Sequence, residues 1–220
     1  REQLLSTGRQ YISKGFPIFP VNLWWDQEKQ KWMKQPLIKK WEQQSVPTEE
    51  DLRKWSNISK FNAWGLVTGK KSGVVVLDID NPDLIKEFNL PHTPRVRSIS
   101  GGYHYYLEYP RDAEVKSHKG ILPKVDIRAD KGFIVIPPSA ADQEHAYTWE
   151  VSLDAAVLAS IPTWLMDLLE VTQSPEYIQS NFDSDKPIEP GERHKTALQA
   201  IGYFSLKYRD EDLEKIWQRL

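Results

Sequence analysis

The sequence contains no cysteine. That excludes a disulfide framework and any cysteine-ligated zinc site. No apolar run approaches the roughly 20 residues that span a bilayer, so no membrane helix is expected. No secretory signal pattern opens the chain, and an intracellular, cytoplasmic protein is expected. An excess of charge is also missing: 29 Lys and Arg stand against 31 Asp and Glu, a formal net charge of -2. Bulk charge therefore gives no footprint for a phosphate backbone, and any such surface has to be a local patch. No internal repeat is present. What is present suits an ordinary folded core: 220 residues, 40% hydrophobic and 27% charged. The first residue is Arg1, and Asp210 to Leu220 reads as a helix without a cap, so a piece of a longer protein is expected.

Hydrophobic periodicity and breakers give the element order. Residues 2–14 read as a helix closed by Gly15, and 16–25 as a strand that Pro17 and Pro20 keep away from a sheet centre. After the polar turn 26–30, residues 31–33 return as a hairpin, and Thr48 with Asp51 opens a short helix as a capping box. Strands are expected over 63–68, 73–80, 95–100, 103–109, 124–129, 132–136 and 147–151. The unbroken run Val74-Val75-Val76-Leu77 suits a strand buried on both faces. Asn81 and Pro82 start a helix, and two more are expected over 152–159 and 162–171. The domain organisation is a main domain over 1–171, a proline-bearing linker over 172–190, and the start of a helical region over 191–220.

Three places carry chemistry. Asp78 and Asp80 lie two apart at the end of the apolar strand, so both carboxylates share one face. Such a pair repels itself unless a cation is present, and oxygen donors at this spacing suit Mg²⁺ or Mn²⁺; the same acids also suit the start of the following helix. Asp126 sits among apolar neighbours on a later strand, with Arg128 on its own face. Either the two form a salt bridge, or Arg128 instead helps to neutralise phosphate. Ser100-Gly101-Gly102-Tyr103-His104 joins two strands. It is either a plain hairpin turn with a core histidine or a phosphate-facing turn, with backbone N–H groups, the Ser100 hydroxyl and His104 as donors.

Two basic stretches complete the inventory. Lys29, Lys31, Lys34, Lys39 and Lys40 are interleaved with Trp32 and Trp41, just after Trp24 and Trp25. Cations track phosphates and aromatic faces stack bases, but most of these tryptophans suit core positions. A second cluster, Arg111, Lys116, His118, Lys119, Lys124, Arg128 and Lys131, flanks Asp126 and is the better candidate for contact with a template or primer backbone, Lys116, Lys119, Lys124 and Lys131 above all.

The order of these motifs resembles the bifunctional primase–polymerase domain of the archaeo-eukaryotic primase superfamily. That family carries two acids separated by one residue, then Ser-Gly-Gly-x-His, then a third acid; here stand Asp78 and Asp80, Ser100 to His104, and Asp126. The frame is similar too: Gly15-Phe16-Pro17-Ile18-Phe19-Pro20, Lys34-Gln35-Pro36-Leu37, Trp64-Gly65-Leu66-Val67-Thr68-Gly69, and Ile136-Pro137-Pro138-Ser139. The resemblance covers roughly residues 8 to 170. It implies an α+β catalytic core, an RRM-like antiparallel sheet with a smaller α/β unit, followed by a helical segment.

The implied activity is that of a DNA primase and DNA polymerase, a template-dependent nucleotidyltransferase. By resemblance, Asp78, Asp80 and Asp126 hold two Mg²⁺ or Mn²⁺ ions. Ser100, Gly101, Gly102 and His104 hold the triphosphate of an NTP or dNTP, with Arg97, Arg128 and Lys34 as further phosphate contacts. The implied partners are a DNA template and primer, with a helicase domain or other replication factor in a parent protein. Some members insert a cysteine-ligated zinc element; this chain has none. A non-catalytic nucleotide- or DNA-binding module and a metal-dependent nuclease are the competing readings of the same carboxylates.

Overall fold

The computed structural model describes residues 1–173. The elements, in order, are α1 (Glu2–Ser13), β1 (Ile18–Asp26), β2 (Lys31–Pro36), α2 (Glu49–Ser56), β3 (Ala63–Val67) and β4 (Val74–Ile79). They continue with β5 (Arg95–Arg97), β6 (Tyr103–Glu108), β7 (His118–Leu122), β8 (Val125–Arg128), β9 (Phe133–Ile136), β10 (Thr148–Val151) and α3 (Thr163–Gln173). The expected linker and helical tail fall outside the described residues from 174 onward; Thr172 and Gln173 themselves close α3. Among the described residues no helix is long and apolar enough to cross a membrane.

The fold is α+β, with two sheets whose strands pair antiparallel throughout. A four-stranded sheet has the order β2-β1-β3-β9, and a six-stranded sheet has the order β10-β5-β6-β4-β8-β7. Strand alternation sorts the core. Val75, Leu77 and Ile79 of β4 point to one side, where they join Tyr105, Leu107, Ile127 and the α3 residues Leu165, Leu168 and Leu169. Val74 and Val76 point to the other, where they meet the four-stranded sheet in a second cluster with Phe19, Val21 and Tyr106. Helix α1 covers the far side of that sheet: Gly8 lies against the Trp64 indole, whose Nε1–H donates to the Leu4 carbonyl at 2.7 Å. The capping box of α2 forms as expected, with the Asp51 N–H on Thr48 Oγ1 and the Thr48 N–H on the Asp51 carboxylate.

Several sequence expectations are corrected. β1 is an interior strand despite its prolines. Pro20 lies opposite Trp64 at a position where the two do not exchange hydrogen bonds: its carbonyl accepts from the Leu37 N–H, while the Trp64 N–H goes to Ser139 Oγ. The missing proline N–H therefore costs the β1–β3 ladder nothing. The expected strands over 63–68, 73–80, 124–129 and 132–136 form, and β3 and β4, adjacent in sequence, belong to different sheets, as do β8 and β9. The two crossings run side by side and are tied by Asp130, which accepts from the Lys70 N–H at 2.9 Å and the Tyr109 hydroxyl at 2.7 Å. Residues 152–159 form turns rather than a helix, because Ala159 is drawn to the sheet: it bridges to Leu107, and its N–H donates to Thr93 Oγ1. Residues 82–87 wind as a 3-10 turn capped by Asn81, shorter than the expected helix. Strand β7 was not anticipated, because its glycine and charges hide the period.

Two stability outcomes follow. Leu77 is fully buried, so Leu77→Ala should lower the unfolding free energy by about 2–5 kcal/mol in denaturant titration. Gly69 has φ +91, and a Cβ there would stand 2.7 Å from the Asp130 backbone, so Gly69→Ala should destabilise by more than about 1 kcal/mol in the same assay.

Candidate active site

Asp78 is the first polar residue after four apolar ones in β4, and it continues the face of Val74 and Val76. It therefore emerges between the two sheets, where their shared core ends. Its cross-strand partners are His104 on β6 and Asp126 on β8. Antiparallel register thus sets Asp126, Asp78 and His104 in one row across three strands. Direct cross-strand neighbours have Cβ atoms about 4.5–5.5 Å apart. Residues separated by nearly fifty positions become contacts.

The row is electrostatically mixed. Asp78 is 13% exposed and His104 only 1%. His104 Nε2 stands 3.4 Å from Asp78 Oδ1, but the aim is poor, and neither ring nitrogen has a hydrogen-bond partner among the described residues. Arg128, one pair farther along β8, closes over both acids: Nη2 lies 2.5 Å from Asp126 Oδ2, and Nε lies 3.6 Å from Asp78 Oδ2. Asp126 Oδ1 accepts from the Gly120 N–H at 2.7 Å. Burial pushes the Asp78 carboxyl up, but His104, Lys34 and Arg128 outweigh it and hold the group well below the usual carboxylate range.

Lys34 comes from the opposite sheet. It pairs with Leu23, on the inward face of β2, and its Nζ lies 5.6 Å from the centre of the Tyr147 ring. The residue as a whole is exposed, yet its ammonium is crowded. Desolvation alone would lower its pKa, and Tyr147 and Asp78 reverse that, leaving it raised. Tyr147, buried and 5.7 Å from the His104 ring, is a site neighbour that the sequence reading did not single out. Burial pushes its phenol up. The only sequence signal for it was its place after the third acidic motif.

Asp80 lies just past the end of β4, exposed, with its N–H on the Lys124 carbonyl at 2.8 Å. It makes no salt bridge among the described residues, and its carboxyl is raised by partial desolvation and then by the charges of Asp78 and Asp126. Lys34 and Lys124 pull it back down without outweighing those causes. The donor set, three carboxylates without a thiol, fits a hard divalent ion in kind. Among the described residues, however, no group of three or more His, Asp or Glu side chains already converges on one point. Arg128 supplies the positive charge between Asp78 and Asp126.

The Ser-Gly-Gly segment forms the hairpin turn that was one of its two readings. The Gly101 N–H donates to the Ser98 carbonyl at 3.0 Å and the Ser98 N–H to the Gly102 carbonyl at 2.8 Å, so the turn consumes these groups. Gly101 has φ +86, which the turn requires. Gly102 has to be glycine because a Cβ would stand 2.4 Å from the Ile79 carbonyl and 3.0 Å from Asp80 Cα. The pair of glycines lets the β5–β6 connection press against the acidic end of β4. The Ser100 side chain remains exposed at the turn.

The other expected contacts divide. Arg97 lies opposite Tyr103, one residue off the His104 row, and so points to the other face of the sheet, away from Asp78. Lys116, Lys119, Lys124 and Lys131 are all exposed. Lys119 lies on the edge strand β7, and Lys124 adopts φ +61 in the turn whose carbonyl holds Asp80.

The chain was compared with known proteins. No curated protein matches it. The family model described as bifunctional DNA primase/polymerase, N-terminal, matches residues 8–164. That span contains every residue of the row, the turn and Lys34, and the chain belongs to the bifunctional DNA primase/polymerase family.

Proposed function

We propose that this chain is a template-dependent nucleotidyltransferase, a DNA primase and polymerase that adds nucleotides to a 3′-hydroxyl on a DNA template. The observation that carries this reading is the row Asp126–Asp78–His104, with Asp80 beside it, at the mouth of a cleft that also receives Lys34 and Arg128. Family membership supplies the reaction class.

Asp78, Asp80 and Asp126 would hold two divalent ions, Mg²⁺ or Mn²⁺. When bound, such ions polarise phosphate oxygens and lower the pKa of an attacking hydroxyl. The protein's own groups do the rest. The three carboxylates set where positive charge gathers. Arg128, released from Asp78 and Asp126, turns its planar fork to the phosphates of the incoming nucleotide. Lys34 meets the same phosphates from the opposite sheet, and the Ser100 hydroxyl donates at the turn. His104, buried behind Asp78, positions that carboxylate and reaches phosphate only from within the cleft. Fixed charges in a site built before substrate arrives stabilise the transition state without reorganisation.

The test is a template assay with the purified chain, template with and without labelled primer, all nucleotides, and Mg²⁺ or Mn²⁺. Asp78→Ala and Asp126→Ala should each lower extension on the order of 10²-fold or more while circular dichroism stays native. Near-normal extension by either variant would sink the metal assignment. Nucleotide binding without turnover in the wild type would instead identify a binding module, and strand degradation without nucleotides a nuclease. His104→Ala should raise the apparent KM for nucleotide and lower kcat through Asp78; unchanged values of both would remove it from the site.

A further inference from the structure

The β1–β2 hairpin extends past Lys34 and carries two tryptophans. Trp25 pairs directly with Trp32 across the hairpin, on the same inward face as Leu23 and Lys34. Their rings meet edge to face with centroids 5.3 Å apart. Trp25 is 36% exposed, one of few large hydrophobic residues left open among the described residues. Trp32 is held from behind by the His145 ring, 4.9 Å away, which is itself fixed by Asp142 at 2.8 Å. The aromatic surface is thus rigid on one side and open on the other.

Between this surface and the Ser100 turn of the other sheet lies an open pocket of about 770 Å³. That volume suits a single base with its sugar, since small-ligand pockets run roughly 300–1,000 Å³. Lys31 adds a positive charge to the rim, and Gln27 and Gln30 add amide donors and acceptors. Gln30 sits at φ +49, a conformation that usually favours Gly or Asn, so the hairpin keeps an amide side chain at a strained tip. Asp142, the acid on the rim, is already engaged with His145 and two backbone N–H groups.

We infer that the Trp25–Trp32 surface is a stacking platform for an unpaired base of single-stranded DNA at the mouth of the catalytic cleft. Aromatic faces accept any base, the Lys31 ammonium takes the adjoining phosphate, and the glutamine amides meet base edges. The inward face of the hairpin continues from Trp25 and Trp32 through Lys34 toward Asp78, so a strand resting here is directed to the carboxylates. The inference deepens the polymerase reading by naming where the nucleic acid is held, and it rests on that reading only for the identity of the strand.

The experiment measures binding of a fluorescently labelled oligothymidylate to the full chain by anisotropy, without metal, for wild type, Trp25→Ala and Trp25→Phe. Trp25→Ala should weaken binding roughly tenfold or more, and Trp25→Phe should restore most of it because the ring survives. Equal binding by wild type and Trp25→Ala overturns the platform, as does absence of oligonucleotide binding in the wild type. A Trp25→Phe variant as weak as Trp25→Ala, with a native spectrum, also overturns it, since the role would then not be stacking. Loss of free nucleoside triphosphate binding with oligonucleotide binding intact assigns the pocket to the incoming base and overturns the strand reading. Extension assays on the same variants separate the two claims. A wild type inactive in extension but Trp25-dependent in oligonucleotide binding removes the polymerase and keeps the platform; active extension with Trp25-independent binding does the reverse.

Discussion

Strand β4 is hydrogen-bonded on both edges, by β6 and β8, and packed on both faces from Val74 through Leu77. Everything at the site follows from that double constraint. A strand held on four sides has no freedom of register, because a one-residue slip would drive its carboxylates into one core and its valines out of another. The first place a charged side chain can emerge is where the shared core of the two sheets runs out, and Asp78 stands there. The neighbouring strands, locked to the same register, bring His104 and Asp126 to the same line. The row is thus a by-product of core packing, and its placement comes from apolar burial rather than from polar contacts of its own.

Electrostatics then decides what the row can do. Several charged groups converge on a small volume, and they do not all balance. Arg128 neutralises Asp78 and Asp126 together, Lys34 adds a cation from the opposite sheet, and Asp80 is left with like charges as its nearest acidic company. A carboxylate next to two acids is favoured by nearby positive charge, here from Lys34 and Lys124, and a guanidinium shared between acids is also suited to a phosphate.

The two sheets share one core cluster, and the chain crosses between them at adjacent points, after β3 and after β8. Asp130 and the tight glycine at 69 fix those crossings. The site lies away from those crossings, at the Asp78 end of β4. There, β2 presents Lys34, and the hairpin beyond it presents Trp25 and Trp32.

Much of this was legible in the amino-acid sequence, for reasons that are local. The run Val74 to Leu77 read as a strand buried on both faces because it has no polar alternation. The carboxylate pair followed from spacing two residues apart, the α2 cap from Thr48 and Asp51, and the family from the order of short motifs along the chain. Tertiary structure alone decided the rest. Parity across strands sent Arg97 to the wrong face and Lys34 to the right one, and no local pattern reports which face of an exposed strand will meet a second sheet. The close approach of Gly102 to the Ile79 carbonyl and Asp80 is set by how β4 and β6 pack, which composition alone does not report. Pro20 entered an interior strand because its carbonyl found Leu37 and the Trp64 N–H found Ser139. Trp25 stands open because the β1–β2 hairpin outruns its pairing with β3, while Trp32 packs between it and the core. Sequence determines what each residue can do within a few positions; which distant groups it meets is set by strand register and sheet packing, which are properties of the whole chain.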